Sequence, residues 1–165
     1  MEAELIFRIV ITGVGATLCM DIWSLVQKHL LRIPSLDYAL VGRWLLWLPR
    51  GKIRHATIAA TPARCGERAA GWVTHYLTGI LFAFIPLGLS GGDWFWQPDV
   101  MTGLLSGLLS LFAPFFIMQP ALGFGIAAAK TPRPRRARLL STLVHLIYGY
   151  GLYITAAMQA GQFRV

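Results

Sequence analysis

Residues 5–26 read LIFRIVITGVGATLCMDIWSLV. This is a run long and apolar enough to cross the roughly 30 Å hydrocarbon core, which takes about 20 helical residues. The residues before it, Met1-Glu2-Ala3-Glu4, are acidic, whereas a secretory signal opens with a positive region. Ala16-Thr17-Leu18-Cys19 has the outline of a lipoprotein cleavage box, but Leu18 is too bulky for the position before the cysteine. The segment is therefore read as a retained membrane helix. Working outward, three more stretches meet the same criterion, at about 69–89, 100–129 and 139–160. Only helices or closed barrels satisfy their backbone in lipid, and none of these runs has the period-two alternation of barrel strands. The expected fold is an all-α integral membrane protein, a four-helix transmembrane bundle forming a single membrane domain over residues 1–165. The third stretch is over-long and holds Pro114 and Pro120. Each removes a backbone donor, which predicts a kinked or strongly tilted helix. Its end, Gly123-Phe124-Gly125, is expected to unwind slightly.

Composition supports this reading. The chain is 56% hydrophobic and 13% charged, where a soluble domain carries about twice that share of charge. The formal charge of +8 is concentrated in two loops, 27–68 and 130–138. The first holds Lys28, Arg32, Arg43, Arg50, Lys52, Arg54, Arg64 and Arg68, and the second Lys130, Arg133, Arg135, Arg136 and Arg138. Glu2, Glu4, Asp93 and Asp99 fall on the opposite side, with Arg164 as its clear cation. Basic short loops between apolar spans hold orientation, so both are expected to be cytoplasmic in a bacterial-type inner membrane, with both termini outside. No aromatic-basic nucleic-acid motif accompanies the charge, so no nucleic acid is expected as a partner. The expected partner is the lipid bilayer, with anionic headgroups at the cytoplasmic loops. Trp94 and Trp96 are placed at the outer headgroup level, and Trp23 and Trp72 near the inner ends of their helices. Cys19 lies in a span and Cys65 in a basic loop, so no disulfide is expected.

The first loop contains more than a tether. Pro34-Ser35 offers a helix start with Ser35 as N-cap, Leu36 to Leu48 mixes apolar residues with Asp37 and Arg43, and Pro49 closes the stretch. It is too short to span, which makes it an interfacial helix on the cytoplasmic leaflet, or else a re-entrant segment. Arg50-Gly51-Lys52-Ile53-Arg54 suits anionic headgroups.

Polar residues inside apolar spans are costly and mark function. Asp21 lies roughly 9 Å from the inner end of the first helix at 1.5 Å per residue. His75 and His145 fall at nearly the same depth in the second and fourth helices, and Gln119 at roughly 15 Å in the third. His75 and Gly79, like His145 and Gly149, share a His-x-x-x-Gly spacing, so each histidine stands beside a notch where another helix can approach. Their offset leaves open an internal repeat of two-helix hairpins. Gly103-x-x-x-Gly107, with Ser106 and Ser110, is a further close-packing surface. Two histidines and a carboxylate, His75, His145 and Asp21, could bind a transition metal or zinc with one position open. The same groups could relay protons or act as an acid-base pair on a lipid-soluble substrate. They could also do no more than hydrogen-bond across helices, at roughly 0.6 to 2 kcal/mol per bond. Tyr76, Tyr148, Tyr150 and Tyr153 could line a ligand pocket. No cofactor is specified, and the metalloprotease, phosphate-loop and nucleophile-elbow patterns do not occur. His29 and His55, in the first loop, receive no role.

Several motifs carry a likeness. They are Gly13 to Trp23, Ile33-Pro34-Ser35-Leu36-Asp37-Tyr38, Val41-Gly42-Arg43-Trp44 and Pro49-Arg50-Gly51. To these are added Gly71-Trp72 with His75-Tyr76, Pro114 to Pro120, Lys130-Thr131-Pro132, and His145 with Gly149. Together they resemble a bacterial family of uncharacterised multi-pass inner-membrane proteins, the domain of unknown function 2938. The resemblance covers nearly the whole chain and implies a multi-pass membrane protein without an assigned activity. Its recurrent motifs include Asp21, His75, Gln119 and His145. The functional expectation is a small-ligand, proton or metal-ion binding or transport protein with a polar site in the cytoplasmic leaflet. The alternatives are a membrane-embedded enzyme and a structural or assembly subunit.

Overall fold

A computed structural model describes residues 2–33 and 35–162. Pro34 and Arg164, which carried part of the reading above, lie outside the described residues. Among the described residues all regular structure is helical. Four helical stretches are long and apolar enough to cross a membrane: Glu2–His29, Glu67–Ser90, Val100–Leu122 and Pro134–Ala160. The first is one continuous helix, α1 (Glu2–His29). The first loop contributes a short helix, α2 (Tyr38–Trp47). The second span is α3 (Glu67–Phe82) followed, after a turn, by α4 (Ile85–Ser90). The break falls just before Pro86, which has no N–H to continue the ladder and sits where a helix start tolerates it. The third span is α5 (Val100–Ser110), a π-helical turn (Ala113–Met118) and α6 (Gln119–Leu122). The fourth is α7 (Pro134–Ala160).

Two expectations about boundaries are corrected. The α2 N-cap is Asp37, whose carboxylate accepts from the Ala39 N–H at 3.0 Å, in place of Ser35. A carboxylate directly before the first turn reaches its free donors, and Ser35 stands too far back to do so. The third span ends at Leu122, where Gly123 takes a left-handed conformation (φ 92°), and does not run on to Ala129. Pro114 leaves its own carbonyl to accept from the Gln119 N–H five residues on, which is the widened turn itself. The widened turn thus has a local cause.

The fold divides into two compact units, Met1–Ser35 with Tyr76–Ser110 and Thr142–Val165, and Leu36–His75 with Leu111–Ser141. In the first unit small residues set the helix contacts. A Cβ added at Gly13 would come within 2.6 Å of Ile80 Cα, one at Gly151 within 2.9 Å of Ala16 Cα, and one at Gly107 within 2.9 Å of Gly149 Cα. α1 therefore touches both α3 and α7, and α5 touches α7, backbone to backbone. Ala16, Ser106, Ser110, Ala156 and Ala157 are buried, while Phe7, Ile22, Leu77, Leu81 and Met158 are exposed. Water would disfavour so much exposed apolar surface, whereas lipid leaves small residues free to let helices approach.

At one end of this unit Trp94 (3% exposed) and Phe95 (0%) plug the core with Ile9, Ala83, Tyr148 and Leu152. Trp94 is thus a core residue and not a headgroup anchor. Its indole N–H donates to the Asp99 carbonyl at 3.3 Å. Asp99 caps α5, accepting from the Thr102 N–H at 2.8 Å. Burial opposes its ionisation, but the Thr102 hydrogen bonds win and hold its pKa below the ordinary value. Arg8, buried on one side, pairs with Glu4 at 3.1 Å, donates to the Phe95 carbonyl and lies 4.8 Å from the Trp96 ring.

In the second unit α2 lies on the start of α3. A Cβ at Gly42 would overlap the Glu67 carbonyl, and one at Gly71 the Tyr38 carbonyl. Only two facing glycines permit that approach. Both cysteines are free thiols.

Candidate functional site

The expected polar residues are held in separate local arrangements. In the first unit Tyr76 Oη, on α3, donates to Asp21 Oδ2, on α1, at 2.9 Å. The phenol therefore stabilises a carboxylate that α1 carries inside an apolar span. Asp21 stands eight residues before the end of α1, roughly 12 Å along the axis.

In the same unit Ser110 Oγ lies 2.7 Å from His145 Nδ1 and also donates to the Gly107 carbonyl at 2.7 Å. A hydroxyl has one proton, and that of Ser110 goes to Gly107, so His145 Nδ1–H donates to Ser110 Oγ. Gly107 and Gly149 make the contact possible, since both lie where α5 and α7 meet. The His-x-x-x-Gly spacing has the same consequence on α3, where Gly79 packs against Thr17 and its carbonyl accepts from Tyr148 Oη at 2.6 Å. Tyr148 is thus a cross-helix tie, whereas the Tyr150 and Tyr153 rings lie tilted against each other with centroids 6.0 Å apart. Trp23 keeps a buried indole nitrogen without a hydrogen-bond partner.

His75 belongs to the second unit. Its ring stacks on Tyr38 at 4.0 Å, with Trp72 edge-on to both. Gln119 is 7% exposed, and its Oε1 has no hydrogen-bond partner. Because the helix ends at Leu122, Gln119 lies in the last turn and not about ten residues from the end. Among the described residues no three His, Cys, Asp or Glu side chains are grouped to hold a metal ion.

The second unit also contains residues to which sequence reasoning gave no such part. Arg43 makes a two-pronged pair with Glu67, Nε to Oε2 and Nη2 to Oε1, both at 2.8 Å. Its remaining nitrogen donates to the carbonyls of Thr61 (2.9 Å), Ile58 and Ala59 (both 3.3 Å). Glu67 further accepts from the Arg64 N–H at 2.9 Å. The hydrogen bond to Glu67 holds the Arg43 pKa above its ordinary value. Arg43 is therefore a staple that folds the loop. The visible signal was an Arg beside Gly42 in a helix, with a Glu beginning the next one.

His55 is buried. Thr61 donates to the Thr57 carbonyl, so its oxygen accepts from His55 Nδ1–H at 2.9 Å, and Nε2 is left buried without a partner. Burial and the nearby Lys52 charge lower its pKa. The His55 N–H donates to the Ala121 carbonyl at 2.8 Å, tying this loop to α6. Arg64, Lys52 and Arg50 surround the Trp47 ring at 4.0, 5.3 and 5.7 Å.

The helices and their inward polar pairs define an all-helical protein with four helices fit to span a membrane. The chain belongs to the family described as Protein of unknown function (DUF2938), whose model matches residues 10–159. No curated protein and no solved structure matches it.

Proposed function

We propose that the protein is a multi-pass inner-membrane protein that binds or carries a small ligand or a proton through ionisable groups inside its helices. Both termini face outward and the two basic loops face the cytoplasm, as the positive-inside rule requires. Anionic headgroups then lie against those loops. The reading is carried by one observation. Asp21 and His145, two ionisable residues within the first unit's apolar helices, are each oriented by a hydroxyl of a neighbouring helix. A neutral side chain would tie helices at a lower cost in lipid, so ionisable groups in that position point to proton or ligand handling. His75 and Gln119 are assigned to the same function from the second unit. The Gln119 oxygen, buried and unmatched, supports that assignment.

A locking role is the second reading, supported by the bonds from Tyr148 to Gly79 and between Ser110 and His145. Asp21→Asn separates the two, because its amide oxygen still accepts from Tyr76. Parent and variant are compared by native mass spectrometry with elemental analysis, and by proton flux into reconstituted vesicles under an imposed gradient. Binding or flux present in the parent and lost from an equally stable Asp21→Asn protein is the expected outcome. Neither activity in the parent, or no change in the variant, leaves the locking role as the function of the pair.

A further inference from the structure

α7 begins in opposition to its own dipole. Arg133, Pro134, Arg135, Arg136 and Arg138 line one open depression of about 570 Å³, and all four arginines are exposed. The first turn of this 27-residue helix has no acidic residue. Cations at the positive end of a helix are unfavourable. Four guanidinium groups within six residues also repel one another. Protein carboxylates do not relieve this. The acidic residues of the two basic loop regions are Asp37, which caps α2, and Glu67, which is taken by Arg43.

Arg138 has a structural task. Its Nε donates to the Ala127 carbonyl at 2.7 Å and steadies a turn in which Ala127 (φ 46°) and Ala128 (φ 59°) are both left-handed. Among the described residues no side-chain hydrogen bond or ion pair engages Arg133, Arg135 or Arg136. Orientation in a membrane needs only positive charge, which lysine supplies equally. All four residues here are arginine, the side chain whose planar fork binds two oxygens of one phosphate at once.

We propose that Arg133, Arg135 and Arg136 form a phosphate-binding site, whose ligand is a phosphate ester seated in the depression at the start of α7. The anion neutralises the cluster and completes the helix end. Two sources share this chemistry: the headgroup of an anionic phospholipid and a soluble phosphate compound. Access to a lipid headgroup rests on the orientation proposed above, whereas the anion chemistry does not.

The test uses the full chain in nanodiscs of phosphatidylcholine with or without phosphatidate, and inorganic pyrophosphate as the soluble probe. Retained lipid is read by native mass spectrometry and pyrophosphate by calorimetry. The comparison variant, Arg133→Lys/Arg135→Lys/Arg136→Lys, keeps the charge and leaves Arg138 in place. The parent is expected to bind at least one probe in preference to phosphatidylcholine, with the lysine variant weaker by about fivefold or more. Phosphatidate retention that pyrophosphate does not displace assigns the headgroup, and pyrophosphate binding without phosphatidate retention assigns a soluble ligand. Equal binding by parent and variant overturns the proposal in favour of diffuse charge, and so does no binding of either probe. Nanodiscs expose both faces, so labelling Cys65 with a membrane-impermeant thiol reagent in sealed vesicles reports sidedness separately.

Discussion

Arg43→Ala should be among the most damaging single substitutions in the loop unit, and its cost follows from its contacts. Arg43 and Glu67 are 13% and 16% exposed at the side chain, so neither is freely hydrated. Removing the guanidinium leaves the Glu67 carboxylate with the Arg64 N–H and takes a donor from three carbonyls. Breaking a buried pair by truncating one partner costs about 3–5 kcal/mol. The residual hydration puts this pair near the lower end, about 3 kcal/mol, or a loss of roughly a hundredfold in the folding equilibrium. The two members act as one unit, so Arg43→Ala/Glu67→Ala should cost clearly less than the sum of the single losses, with a coupling of about 1–3 kcal/mol. Arg43→Lys should recover only part of the loss, since one ammonium cannot supply both prongs and the carbonyl contacts. The assay is reversible denaturation in detergent micelles, paired with protease sensitivity of the loop. Additive single and double effects, or an Arg43→Ala cost below about 1 kcal/mol, would refute the staple, because exposed pairs behave that way.

Two further outcomes are expected. Gly149→Ala should destabilise the protein by about 1–3 kcal/mol, because a Cβ there would come within 3.1 Å of Gly107 Cα. Gly88→Ala, which meets nothing within 4 Å, should be neutral or stabilising by a few tenths to about 1 kcal/mol, and thermal melts of the pair check the contrast. The lowered His55 pKa makes the unfolded chain the better proton binder. The His55 contribution is therefore complete above pH about 6.5 and falls away as the pH drops through that value toward the folded pKa. Denaturation midpoints measured from pH 8 to 5 should fall less steeply for His55→Gln than for the parent; equal slopes would show that His55 carries no such linkage.

How much of this was legible in the sequence varies with the range of the interaction. The four apolar runs and the basic loops between them were readable directly, because lipid imposes a long unbroken apolar helix that aqueous packing does not demand. A disturbance of the helix at Pro114 was also readable, and it takes the form of a widened turn, since a missing N–H acts locally. Local signals misled where two of them competed. Ser35 and Asp37 both suit an N-cap, and only the backbone decides which one faces the first free N–H groups. Gly123 and the apolar residues after it gave opposite signals for the end of the third helix, and the left-handed glycine prevailed.

The residue pairs were not legible at all. Asp21, His75, Gln119 and His145 stood out because each is costly in an apolar helix, but cost does not name a partner. That Asp21 receives Tyr76, that His145 meets Ser110, and that His75 stacks on Tyr38 depend on how helices turn against one another. Arg43 is the clearest case. As a charge in a count it looked like an orienting cation, yet it also closes a loop on Glu67. The sequence alone determined which segments must leave water and which charges must stay beside it, because that free energy is summed residue by residue along the chain. Tertiary structure decided which polar groups meet, because a hydrogen bond depends on distances of a few tenths of an ångström between segments far apart in sequence.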